Sequence, residues 1–414
     1  MTNGEKVSSF RWVVLALLFL NIFLAFLAGY SMPPLFKEIS EQIPLTKAQM
    51  GMIMGMLTIP ALVASPIGGG ISDKVGSRWA FGVSILIVAA GGIARAFVND
   101  PYGLTACMFI MGTGLAVTGP NLPKALGMWF PPKEYAMANG ICMISMPLAL
   151  TLAMGTAAGV LSPLFGGWRN VIIFIGILTG ILGILWMIVY RERVVETAAQ
   201  KKAKPSIIQN FKTVMNIKDF WWAAFVYAAS MLGIMSLFTL LPNSLAERGL
   251  SAAKAGALVA IMTGTNAVFK VVGGTLSDRT GKRKIFLFLS NFILGLATIL
   301  GLSYMTGTPL IIALVIAGGA MGSIAPIFMV FLVEIKGIGP ALAGTSVGLI
   351  FMLGNVFGFV GPVVSGKLMD VTGAQWPAFV FMGVAFLIAA FGILPVKETG
   401  VKRAKEEKSA VAHG

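Results

Sequence analysis

Apolar positions along this chain run on rather than alternate. Stretches of roughly 18 or more mostly apolar residues recur between short polar segments, each long enough to cross about 30 Å of hydrocarbon as a helix. The runs predict helices near 12–32, 49–71, 79–98, 102–123, 136–161 and 170–190. A second set is expected near 220–242, 253–276, 285–304, 309–332, 341–364 and 377–395. The alternating pattern of a membrane β-barrel is missing, and Gly-rich continuous runs favour helices. The expected class is therefore an all-α polytopic membrane protein with twelve transmembrane helices. Lys6 and Arg11 precede the first run as in a signal peptide. That run lacks a small-residue cleavage site, so it is expected to be retained as helix 1.

Composition agrees: 57% of the 414 residues are hydrophobic and 11% charged, against about 25% charged in soluble domains. The net charge of +15 could suggest a nucleic-acid partner, but its distribution argues for a membrane. With the N-terminus inside, 23 of the 31 Lys and Arg residues fall in cytoplasmic segments and six in outer loops. This asymmetry places both termini in the cytoplasm and sets the basic excess against anionic headgroups of the lipid bilayer. Arg95 and Lys270 are the two cations left over. Cys107 and Cys142 fall inside spans, and the single histidine, His413, lies in the tail. No metal-ligand spacing, nucleophile–base pair, Walker loop or dinucleotide fingerprint occurs, so neither an enzyme nor a cofactor is expected.

The chain repeats itself. "GGGISDKVGSR" (68–78) follows the second run and "GGTLSDRTGKRK" (273–284) follows the eighth. Aligning Asp73 with Asp278 gives a shift of 205 residues, about half the chain. The expected domains are a six-helix bundle over 1–190, a cytoplasmic linker over 191–219, a second bundle over 220–396 and a cytoplasmic tail over 397–414. Repeated membrane halves with a central site between them are the architecture of secondary transporters.

These two segments resemble the loop signature of the major facilitator superfamily, G-x-x-x-D-R-x-G-R-R/K. Gly69, Asp73, Lys74, Gly76 and Arg78 match it in the first half. Gly274, Asp278, Arg279, Gly281, Lys282 and Arg283 match more fully in the second. The resemblance implies the superfamily fold of two six-helix pseudo-repeats, with these loops acting as cytoplasmic gates that bias alternating access. The glycines permit a tight turn, and the aspartate can lie near a helix N-terminus, whose dipole favours an anion. The alternative is that the loops act only as topology anchors.

Lys270 precedes Asp278 by eight residues, about 12 Å into the membrane at helical rise. A lysine stem of about 6 Å reaches neither face from there, so the ammonium needs water or an anion. Asn266 lies one turn away on the same side, with Thr263 a further turn on. All 16 acidic residues fall in loops, tails or helix ends, with Glu334 nearest the core. A buried cation without a buried acid points to a small anionic solute. Arg95 comes out differently, about 5 Å from the outer surface and within snorkelling range, with a structural role or a place at the outer entrance of the pathway. Asn21, Tyr30 and Asn355 are weaker candidates for the substrate cavity, with helix–helix glue as the alternative.

Helix 8 is similar to that of the oxalate/formate and monocarboxylate branch, where a basic residue sits four before the signature glycine, as Lys270 does before Gly274. "GMWFPPKEYAMANG" and "FGGWRNVI" resemble the cyanate and nitrate/nitrite permease branch. The second basic residue of the oxalate carriers in helix 11 and the helix 2 arginine of the nitrate carriers have no counterpart here. The expected function is a monomeric carrier in the cytoplasmic membrane moving a small organic or inorganic anion, monocarboxylate-like, by alternating access. The alternatives are an exporter of amphipathic, drug-like compounds with Lys270 structural, and a membrane sensor that does not transport.

Overall fold

The computed structural model describes residues 9–192 and 207–400; within them the side chains of 65–71, 73, 120, 132, 136, 207, 208, 340 and 341 are not described. The segment before residue 9, residues 193–206 of the expected linker and the tail from 401 therefore lie outside the described residues. Those described are helical, with no strand among them. The first half comprises α1 (Phe10–Tyr30), α2 (Met32–Gln42), α3 (Lys47–Gly55), α4 (Ala61–Ala94), α5 (Pro101–Trp129), α6 (Pro132–Thr156), α7 (Ser162–Phe165) and α8 (Trp168–Val189). The second comprises α9 (Ile207–Met215), α10 (Lys218–Glu247), α11 (Ala252–Thr280), α12 (Arg283–Leu296), α13 (Gly307–Glu334), α14 (Gly339–Thr372) and α15 (Trp376–Gly392).

Ten helical stretches among the described residues are long and apolar enough to cross a membrane, and the apolar Trp376–Gly392 is shorter. The run expected over 49–71 departs from one continuous span. Residues 56–60 form turns between α3 and α4. Pro60 supplies a cause, since it lacks an N–H and disfavours helical backbone at Ile59. Helix α4 then runs from the remainder of that span into the next one. The two parts meet at Gly76, whose φ of 82° and ψ of 162° are non-helical.

The chain divides into two compact units, Met1–Pro44 with Met56–Gln200, and Leu45–Gly55 with Lys201–Gly414. In the first unit α4 packs along α5 and α8, and α1 packs on α6 and α8. In the second, α11 packs on α13, α12 on α15, and α10 on α14 and α15. Counted as apolar spans, with α4 carrying parts of the second and third of its half, these are the same pairings. The sequence repeat is thus also a repeat of packing.

Small residues permit the closest approaches. A Cβ on Gly318 or Gly322 would lie 2.3 Å from the carbonyl oxygens of Met262 and Asn266, so α11 and α13 touch backbone to backbone. The α3 segment packs on α14 in the same way, with a Cβ on Gly366 falling 2.2 Å from the Lys47 carbonyl. Asp370 accepts hydrogen bonds from the Lys47 and Ala48 N–H groups, both at 2.9 Å, and so satisfies donors at the start of α3. Lys47 also pairs with Glu247.

Candidate functional site

Helix α11 carries the strongest candidate. Met262, Asn266 and Gly273 lie on the stripe pressed against α13, where Gly273 approaches the Ser323 side chain. Asn266 is buried, with 8% exposure. Lys270 follows one turn later at the margin of this stripe, half-buried, while Val268 and Val271 on other faces are exposed. Thr263 spends its hydroxyl on the backbone, donating to the Val259 and Ala260 carbonyls at 3.2 Å. Lys270 makes no hydrogen bond or ion pair with any described residue. A half-buried ammonium well inside a spanning helix thus has its donors unspent on any described residue.

Arg95, in the first unit, is the opposite case. It follows α4 in a single 3₁₀ turn, Arg95–Phe97, and is fully buried. Its Nη2 donates to the Ala28 carbonyl at 3.0 Å, Nε to the Gly92 carbonyl at 3.3 Å, and Nη1 lies 3.4 Å from the Met108 sulfur. The expectation of a head group snorkelling to the outer surface is corrected. The guanidinium turns inward and ties the ends of α1 and α4 together, because backbone carbonyls there offer acceptors that hydrocarbon does not.

The weaker candidates divide similarly. Asn21 is fully buried; its Nδ2 donates to the Leu17 carbonyl at 2.8 Å and its Oδ1 has no hydrogen-bond partner among the described residues. Tyr30 is buried at the end of α1, its ring 6.3 Å from Phe26. Asn355 is half-buried on α14, next to Gly354, where a Cβ would meet the Tyr227 ring at 2.4 Å.

The signature loops show the repeat in their backbone. Gly76 and Gly281, 205 residues apart, both have positive φ, 82° and 64°, a region that favours glycine. Gly281 ends α11, its N–H reaching the Ser277 carbonyl at 2.9 Å. Asp278 is not itself at a helix N-terminus. It lies in the last turn of α11 and pairs with Arg283 at 2.5 Å. Arg283 is buried and also reaches Ser277 Oγ at 3.1 Å and Glu334 at 3.5 Å. Lys74, Arg279 and Lys282 are exposed, and Gly274 makes an ordinary contact with Pro326. The surroundings of Gly69 and the side chain of Asp73 are not described.

The Major Facilitator Superfamily profile matches residues 18–362 and, in a second match, 223–413. The chain belongs to the major facilitator superfamily. As a superfamily member it is a multi-pass membrane transport protein and not an enzyme. Among curated relatives, "Probable nitrate transporter NarT" of Staphylococcus aureus (strain Newman) is 22% identical, over 90% of this chain and 92% of that protein. A hexuronate transporter of Bacillus subtilis (strain 168) is 24% identical over 86% of this chain and 87% of that protein. Among solved structures, a bacterial homologue of the human lysosomal transporter Spinster, inward-facing and occupied, superposes with a TM-score of 0.78 at 17% identity, covering 96% and 99% of the two chains. The nucleoside transporter NupG gives 0.75 at 18% identity, covering 92% and 99%. At such identities the structures establish the superfamily fold alone.

Two acids that reasoning from the sequence passed over serve the superfamily loops. Glu192, just past α8, accepts from the N–H groups of Ser77 and Arg78 at 2.9 and 3.0 Å. Glu398, just past α15, accepts from the Lys284 N–H at 3.1 Å. Each carboxylate satisfies the first orphan donors of the helix after the loop. Glu398 follows Glu192 by 206 residues, close to the repeat, and that spacing was the available signal. Thr399 adds a hydrogen bond to Glu334 at 3.1 Å, which joins the chain after α15 to the Arg283 cluster.

Proposed function

We propose that this superfamily transporter moves a small anion across the cytoplasmic membrane by alternating access, with Lys270 as the counter-charge and Asn266 as a neighbouring polar contact. The observation that carries this reading is the half-buried Lys270, about two thirds of the way along α11, with no hydrogen bond or ion pair to any described residue. An ammonium at that depth costs at least a few kcal/mol unless it faces water or an anion. A bound carboxylate or oxoanion offsets that cost, and a neutral solute does not. The relatives named as nitrate and hexuronate transporters support an anionic solute, although the two differ widely in size. In this reading the loops at Gly76 and Gly281 act as gates, held by Glu192, Glu398 and the Asp278–Arg283–Glu334 cluster, on the cytoplasmic face with both termini.

The test is thermal unfolding of the purified protein with nitrate, short monocarboxylates and hexuronates, each beside a neutral analogue of similar size. A ligand of the native state stabilises it by RT ln(1 + [L]/Kd), so a millimolar binder is visible at high concentration. The reading expects one class of anions to raise the melting temperature and their neutral analogues to leave it unchanged. Equal stabilisation by amphipathic neutral compounds, with no response to any anion, would reject it in favour of an apolar cavity.

A further inference from the structure

The second unit holds a cavity of about 330 Å³ lined by Arg248, Lys254, Leu258, Leu310 and Ile311 among others. Arg248 caps the C-terminus of α10, and Lys254 lies in the first turn of α11. Between Lys254 and Asp278 helix α11 rises about 36 Å. The cavity and the signature loop therefore lie at opposite faces of a hydrocarbon core about 30 Å thick.

Its chemistry is two-sided. Arg248 donates from Nε to Gln375 Oε1 at 3.0 Å and from Nη2 to the Leu302 carbonyl at 2.6 Å, and it lies 5.4 Å from the Phe379 ring centre. Its Nη1 is buried with no hydrogen-bond partner among the described residues. Burial pushes the guanidinium below its ordinary pKa. Lys254 is exposed, and neither residue forms an ion pair with a carboxylate among the described residues. Leu258, Leu310 and Ile311 form an apolar wall, and the neighbouring Ile312 is 55% exposed. At about 30 Å³ per water, the space equals roughly ten waters, enough for a phosphate ester and its first methylenes but not for a whole lipid.

We propose that this cavity binds the phosphate headgroup of an anionic phospholipid in the leaflet opposite the signature loops. Arg248 and Lys254 supply the counter-charge, and Leu258, Leu310 and Ile311 receive the first acyl methylenes. The apolar wall and the placement at a membrane face favour a lipid over a soluble anion. This site is independent of Lys270, which lies about 24 Å further along α11.

The test uses the full chain in neutral detergent micelles, titrated with phosphatidylglycerol, phosphatidylcholine or inorganic phosphate, with melting temperature as the readout. Phosphatidylglycerol is expected to stabilise the protein saturably, and the other two to have little effect. Lys254→Glu should weaken the phosphatidylglycerol response about tenfold or more, the loss expected for one charged hydrogen bond. Ala257→Trp, on an exposed lining position, fills the cavity while keeping both cations and should weaken it as well. Arg248 is left in place because its contacts to Gln375 and Leu302 hold helix ends together. Equal phosphatidylglycerol responses in the wild type and both variants would overturn the proposal. So would phosphatidylcholine matching phosphatidylglycerol, and inorganic phosphate reproducing the full stabilisation would make this a soluble-anion site instead.

Discussion

Arg95 and Lys270 are both cations on membrane-spanning helices, and their surroundings have answered the same energetic problem in opposite ways. Arg95 in the first unit is sealed from solvent and donates to two backbone carbonyls beside a methionine sulfur. Lys270 in the second unit is half-buried and donates to nothing described. Guanidinium suits the first role, because its fixed fork reaches several carbonyls at once, whereas a lysine is a compact charge on a flexible stem. Depth alone therefore does not identify a substrate-facing charge. What separates the two is whether the protein has already spent the donors.

The largest effect expected from this contrast is on stability. Arg95→Ala should destabilise the protein by about 2–4 kcal/mol, because it leaves a cavity and removes the hydrogen bonds that tie α1 to α4. Arg95→Met keeps most of the volume, removes a charge that has no anion partner, and should cost less. Chemical or thermal unfolding of the two variants checks the order. In each, the folded fraction should bind anions like the wild type, and a selective loss of affinity would return Arg95 to the transport pathway.

Two glycines sharpen the comparison. Gly322→Ala places a methyl group 2.3 Å from the Asn266 carbonyl, which forces α11 away from α13 and moves Asn266 and Lys270 together. Overpacking of this kind costs about 1–3 kcal/mol, and anion affinity should fall with stability. Gly92→Ala, beside Arg95, meets the nearest side-chain atom at 3.8 Å, an ordinary contact. It should be neutral or stabilising by up to roughly 1 kcal/mol, since glycine inside a helix is unfavourable. Melting curves for the pair read both outcomes, and a Gly322→Ala variant that keeps full stability and full anion affinity would break the link between the α11–α13 contact and the site.

Smaller still is the effect of the carboxylate after α15. Glu398→Ala should cost about 1 kcal/mol, as loss of a helix-capping acceptor does, and leave anion affinity unchanged. It should alter turnover if the loop is a gate. Transport assays in proteoliposomes read this, with unchanged turnover favouring the topology-anchor reading. The same assay carries the smallest expected effect: no imposed pH gradient should be needed for uptake at fixed substrate protonation. Strict dependence on a gradient would point to Glu334, which here pairs with Arg283 and Thr399.

The sequence made the repeat legible because a shift of 205 residues superimposes "GGGISDKVGSR" on "GGTLSDRTGKRK", and both Gly76 and Gly281 adopt the positive φ that a glycine at that point suggests. It also marked Lys270 through charge and depth. It did not show that Arg95 turns inward, since the acceptor at Ala28 is 67 residues away in the chain. Nor did it reveal that residues 45–55 pack with the second unit, which depends on Gly366 and Asp370 more than 300 positions later. The missed carboxylates have the same cause. Local pattern assigns a helix, but which distant acid caps it is decided by tertiary packing.

The central claim is that Lys270 is the unspent charge and that an anion spends it. The direct measurement is the affinity of the best-binding anion for the folded fraction of wild type and Lys270→Ala, with membrane insertion followed in parallel. The contact should be worth about 2 kcal/mol or more in so desolvated a site, so Lys270→Ala should bind roughly thirtyfold more weakly. Insertion should be normal or improved, because a costly charge has been removed, and Lys270→Arg should retain part of the affinity. Equal affinities in wild type and Lys270→Ala would contradict the claim and make Lys270, like Arg95, part of the scaffold.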